Sequence, residues 1–124
     1  MSSAQHSDIT ETPEVTRTTL QVTRLESVHQ TAAVEIRRIT LAPDFAVGFH
    51  LHNGPVFGTV VEGSVTYQIE GEPATVLHAG DIFYEPAHAP IARFDAAEEG
   101  AVFLGYFLLE DGQVPELTTE RPEA

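Results

Sequence analysis

The stretch His50-Leu51-His52-Asn53-Gly54-Pro55-Val56-Phe57-Gly58-Thr59-Val60-Val61-Glu62-Gly63 decides how the rest of the chain is read. It is rich in β-branched residues, and Asn53-Gly54-Pro55 marks a turn inside it, so it reads as strand, turn, strand. Residues two apart in a strand project from the same face, which sets the imidazoles of His50 and His52 side by side, with Phe49 and Leu51 on the opposite face. The same reading extends outward. Thr18 to Leu25 alternates polar with apolar, and Val34-Glu35-Ile36 alternates and extends, with a bulge, to Leu41. Punctuation at Pro43-Asp44, Glu62-Gly63, Glu70-Gly71-Glu72-Pro73, Ala79-Gly80-Asp81 and Pro86 cuts out further short runs at 46–52, 56–61, 64–69, 74–78, 81–85 and 90–94. The run 101–109 is nearly all apolar and suits a buried central strand. No window sustains three turns of helical periodicity, so the chain is expected to be all-β, an antiparallel sandwich or small barrel.

Composition narrows the function. The chain has 124 residues and a formal charge of −13 at pH 7. Such a surface repels phosphate, which excludes nucleic acid and anionic membranes as expected partners. An apolar share of 42% is enough for a packed core. There is no cysteine, hence no disulfide, thiolate nucleophile or zinc–sulfur site. All six basic residues are arginine, which fits a GC-rich bacterial gene and removes Schiff-base chemistry and a phosphate-loop lysine. Gly58 to Ser64 therefore binds no nucleotide despite its glycine spacing. With no secretory signal and no apolar run long enough to span a bilayer, the expected location is the cytoplasm. The expected organisation is a flexible polar arm over 1–15, one barrel domain over 16–110 and a solvated acidic tail over 111–124.

His50-Leu51-His52, a short spacer and Gly63 resemble the first motif of the cupin superfamily, and Gly80-Asp81-Ile82-Phe83-Tyr84-Glu85-Pro86 resembles the opening of its second. The resemblance covers roughly residues 36–107 and implies a double-stranded β-helix, or jelly-roll barrel, with His50 and His52 facing inward. It also implies a bound divalent transition metal (iron, manganese, nickel or zinc) and a homodimer built by exchanging N-terminal strands. Thr18 to Leu25, otherwise an exposed edge, suits that exchange. The family's glutamate position falls on Val56, its third histidine on Ile91 and its asparagine on Asp95. Something else must then complete the metal shell.

His88, Glu85, His78 and Gln68 could do so. His88 lies three residues before the lost histidine and is taken with His50 and His52 as the metal set. Glu85 offers a carboxylate, either as a further ligand, as a catalytic group or as an ordinary ion-pair partner. His78 and Gln68 read as surface residues. Tyr84 carries a hydroxyl beside the second motif and is the second catalytic candidate. The remaining aromatics, Phe45 to Phe107, mostly fill the barrel. The expected function is a metal-dependent enzyme of dioxygenase, isomerase, cyclase or lyase type acting on a small oxygenated or carbonyl compound. The alternatives are a non-enzymatic small-ligand sensor or storage barrel with an eroded metal site, and a metal-free acid–base enzyme.

Overall fold

The computed structural model of the chain describes residues 9–11 and 14–121. Among these residues nine strands form, in chain order: β1 (Ile9–Glu11), β2 (Thr16–Thr18), β3 (Ala33–Leu41), β4 (Leu51–His52), β5 (Val56–Ile69), β6 (Thr75–His78), β7 (Ile82–Glu85), β8 (Ile91–Leu109) and β9 (Leu117–Thr118). All pairings are antiparallel, and the main sheet runs β3-β8-β5-β6 with β7 also on β5. No helix is present among the described residues, and none is therefore long and apolar enough to cross a membrane.

Two long strands organise the barrel. The first half of β5 lies between β7 and the end of β8, whereas its second half lies between β6 and the start of β8. Register shifts at Val60/Glu62 and Gly63/Val65 separate the halves, and such bulges bend a strand and raise its twist. The sheet thereby folds onto itself as a double-stranded β-helix. Phe94 from the first half of β8 packs on Phe103 from its second half at 4.9 Å between ring centres, and Phe83 of β7 touches both. Those rings, with the fully buried Val60, Val65 and Ile91, form the core.

Several local expectations change. Glu62-Gly63 is a bulge rather than a hairpin, and residues 95–100 continue β8 between the runs 90–94 and 101–109. The run 101–109 is the expected central strand, with every second residue buried. Thr18 to Leu25 forms no strand beyond Thr18; among the described residues no strand pairs with 19–25, and Leu20 and Val22 are 72% and 77% exposed. The arm expected over 1–15 falls mostly outside the described residues; within it, Ile9–Glu11 pairs with Thr16–Thr18. Residues 110–121 do not trail into solvent. The Asn53 side chain donates to the Val114 carbonyl and accepts from the Glu116 N–H, β9 pairs with β4, and the Arg121 guanidinium lies 4.3 Å from the Phe49 ring centre.

Gly63 sits at φ +76°, and a Cβ there would stand 2.0 Å from the Gly100 carbonyl oxygen. Gly63→Ala is expected to lower the free energy of unfolding by about 2 kcal/mol or more, since left-handed strain and a backbone collision add. Gly71→Ala, at φ +86° in open space, should cost only about 1 kcal/mol. Urea denaturation of both variants checks the difference.

Candidate metal centre

Three elements bring the site together. His50 is fixed to the start of β8 by a reciprocal backbone pair, its N–H donating to the Ile91 carbonyl (3.1 Å) and its carbonyl accepting from the Ile91 N–H (2.8 Å). His52 lies in β4 opposite Leu117 of β9, and its carbonyl accepts the His88 N–H. Glu85 ends β7, where alternation buries Phe83 and Glu85. The register pairs Glu85 directly with Val56, so its carboxylate arises beside the position that the first motif would have given to a glutamate.

His50 and Glu85 are each 3% exposed. Glu85 Oε1 lies 2.6 Å from His52 Nε2 and 3.4 Å from His50 Nε2, and the two imidazole rings stand edge to face at 5.1 Å. Neither ring N–H is aligned on Oε1 as a proper hydrogen bond, so this buried oxygen has close neighbours but no directed partner. The three ligating atoms all lie within 4.8 Å of one another. His50 Nδ1 sits 2.9 Å from the Gly48 carbonyl, which can only accept. Its proton is therefore on Nδ1 in the neutral tautomer, and the Nε2 lone pair faces the carboxylate. Two acceptors in that position need a cation between them, a proton or a metal ion. The donor set fits a metal: two imidazole nitrogens and one carboxylate oxygen are the borderline ligands that iron(II) and zinc take.

The electrostatics run the same way. Burial alone pulls the His50 imidazole down, but contact and charge from Glu85, with the Gly48 carbonyl, outweigh it and leave the group above its ordinary value. Burial pushes the Glu85 carboxyl up, and its contacts with His50 and His52 overcome that and hold it below the ordinary value.

These side chains stand in the wall of a cavity of about 280 Å³ between the two halves of the barrel. Ten of its thirteen lining residues are apolar, five of them phenylalanine; His50, His52 and Glu85 are the other three. Val56 lines it and Ile91 is wholly buried, so neither replaced position supplies a donor. His88 does not join the cluster. Its backbone is at φ +63°, its side chain is exposed, and it lines a separate surface cavity with His29 and Asn53. Its N–H donates to the His52 carbonyl at 2.8 Å, which fixes the loop in the arrangement that leaves the side chain exposed. Tyr84 stands on the opposite face of β7 from Glu85, stacked on Phe57 at 4.8 Å, and its hydroxyl donates to Glu26. Burial and the Glu26 carboxylate push that hydroxyl up to about 12, away from the site. His78 is exposed, and the half-buried Gln68 side chain donates to the Glu72 carbonyl. Sequence reading missed Leu117, which reaches the cavity from the segment expected to be tail. The alternation of Glu116-Leu117-Thr118 was its only local signal.

The sign of the linkage follows from the two shifts. Glu85 stabilises the metal-free fold above its ordinary value of 4.5, and this is lost as pH falls through the lowered folded value. His50 stabilises it below 6.5, and this is lost as pH rises through the raised folded value. Denaturation in the presence of chelator is expected to show the largest contribution between pH 4.5 and 6.5. Glu85→Gln should flatten both limbs.

Comparison with known proteins agrees with this architecture. A Klebsiella pneumoniae protein with a double-stranded β-helix domain superposes with TM-score 0.58 at 20% identity, over 76% of this chain and 81% of that one. A DMSP lyase from Ruegeria pomeroyi gives 0.61 at 19% identity, over 77% of this chain and 47% of its own. An oxalate oxidase bound to glycolate gives 0.59 at 22%, over 69% and 45%. The chain thus spans about half the length of the lyase and the oxidase, and likeness at these identities concerns the fold. No curated protein matches the sequence. The cupin-domain family model matches residues 37–104, more than half of the chain, across both histidines, the β5 bulge and Glu85. This chain belongs to the cupin family.

Proposed function

We propose that the protein is a metal-dependent enzyme acting on a small oxygenated or carbonyl-bearing compound, with His50, His52 and Glu85 holding one divalent first-row ion. The convergence of two imidazoles and a buried carboxylate within an otherwise apolar cavity carries this reading. When bound, such an ion supplies Lewis acidity toward a carbonyl or enol oxygen and, if redox-active, a route to dioxygen chemistry. The residues do the rest. Gly48 orients the His50 ring through its carbonyl, and the β4–β9 pair holds His52. The phenylalanine walls lower the local dielectric, which strengthens charge interactions there. The lyase and oxidase neighbours lend support to an enzyme, though not to a particular reaction.

The close approach of His52 to Glu85 favours a second reading, a metal-free acid–base enzyme in which that pair shares a proton. Elemental analysis of the purified protein separates the two. About one iron, manganese, nickel or zinc per chain is expected, with affinity reduced on the order of tenfold or more in His50→Ala and Glu85→Gln and unchanged in His88→Ala. Protein that is metal-free and unresponsive to added ions overturns the metal reading. Catalysis that survives chelation assigns the chemistry to the His52–Glu85 pair, and metal or metabolite binding with no turnover assigns the barrel to sensing or storage.

A second copy of this chain is the proposed partner. Among the described residues β3 is an edge strand that shows Val34 and Ile36 at 50% and 59% exposure, and the alternating residues 19–25 have no strand partner. Sedimentation at micromolar concentration is expected to give a dimer, converted to monomer by Ile36→Glu with Val22→Glu.

A further inference from the structure

We propose that the cavity selects an apolar, ring-sized molecule with one anionic oxygen-donor head and no second polar end. The inference rests on the metal reading for the head, and on the cavity walls alone for the body.

Away from His50, His52 and Glu85, the lining offers only hydrocarbon; no arginine, hydroxyl or amide side chain reaches it. Arg37, at the neighbouring surface cavity, pairs with Glu35 at 2.6 Å and lies over the Phe107 ring at 5.1 Å, and it does not line this cavity. A polar group of a ligand seated against these walls would find no side-chain partner there, which costs about 1–3 kcal/mol for a neutral group and more for a charge. Charge balance constrains the head. A divalent ion with one carboxylate and two neutral imidazoles leaves a single positive charge beside apolar walls. A monoanionic head cancels it, whereas a dianion leaves a buried negative charge with nothing to meet it. Size constrains the body: a cavity of about 150 Å³ holds benzene, so 280 Å³ admits one ring with short substituents. Phe83, Phe94 and Phe103 line the cavity, and aromatic walls suit a flat, unsaturated ligand.

Two matched compounds test this. 4-Methylbenzoate and terephthalate share a ring and a carboxylate head and differ only in a methyl or a carboxylate at the far end; acetate supplies the head without the body. Each is titrated into cobalt(II)-loaded protein, read by the visible cobalt spectrum and by the thermal midpoint. 4-Methylbenzoate is expected to bind at least about tenfold more tightly than either of the others. Equal or tighter binding of terephthalate or acetate overturns the proposal. In a separate arm, toluene is added to metal-free protein and is expected to raise the thermal midpoint. No rise overturns the claim about the body even if the metal reading stands. Failure to take up cobalt while toluene still stabilises the fold removes the metal reading and leaves the apolar selectivity in place.

Discussion

A carboxylate at 3% exposure is the most expensive group in this molecule, and the arrangement around it is what the fold has to deliver. Moving an ionised carboxyl from water into an apolar interior costs several kcal/mol even after relaxation, and only close positive charge or aligned donors offset it. No arginine reaches Glu85. Its neighbours are two imidazoles, one of them oriented by Gly48 so that a lone pair faces the carboxylate. The site is thus stable only with a cation in it, which is the property a metal-binding or proton-holding centre requires. Structure and chemistry meet at that one constraint.

The strands around the site meet this demand in distinct ways. The β5 bulge lets one strand serve both halves of the barrel, so that β7 pairs where Val56 faces inward and delivers Glu85 there. The bridge between His50 and Ile91 ties the first histidine to the other half. The β4–β9 pair ties the second to the returning C-terminal segment, from which Leu117 joins the cavity wall. Because the walls are hydrocarbon, the interaction between Glu85 and whatever cation it faces acts in a low dielectric and is far stronger than it would be at the surface.

Particular residues show where the sequence could be read and where it could not. The period-two pattern at His50-Leu51-His52 placed both rings on one face, and short spacing between turn signals gave the barrel, since both depend on local geometry. Glu62-Gly63 looked like a turn because glycine after a polar residue serves a hairpin and a bulge equally well; the long-range pairing with β8 decides between them. From sequence His88 is taken as the third metal ligand and Glu85 as a further ligand, a catalytic group or an ion-pair partner. Cross-strand register buries Glu85, and a left-handed backbone with an N–H held by the His52 carbonyl turns His88 outward. Tyr84 fell to the same rule, since one step along a strand changes the face.

What the sequence alone determined is whatever follows from neighbouring residues: an all-β chain, an acidic surface hostile to phosphate, no thiol or lysine chemistry, and a paired-histidine strand. Which carboxylate meets those histidines, how the cavity is walled, and that an acidic C-terminal segment folds back to add Leu117 to that wall were decided only in three dimensions. The reason is that each depends on register between strands distant in the chain. A shift of one residue there would exchange every inward side chain for its outward neighbour.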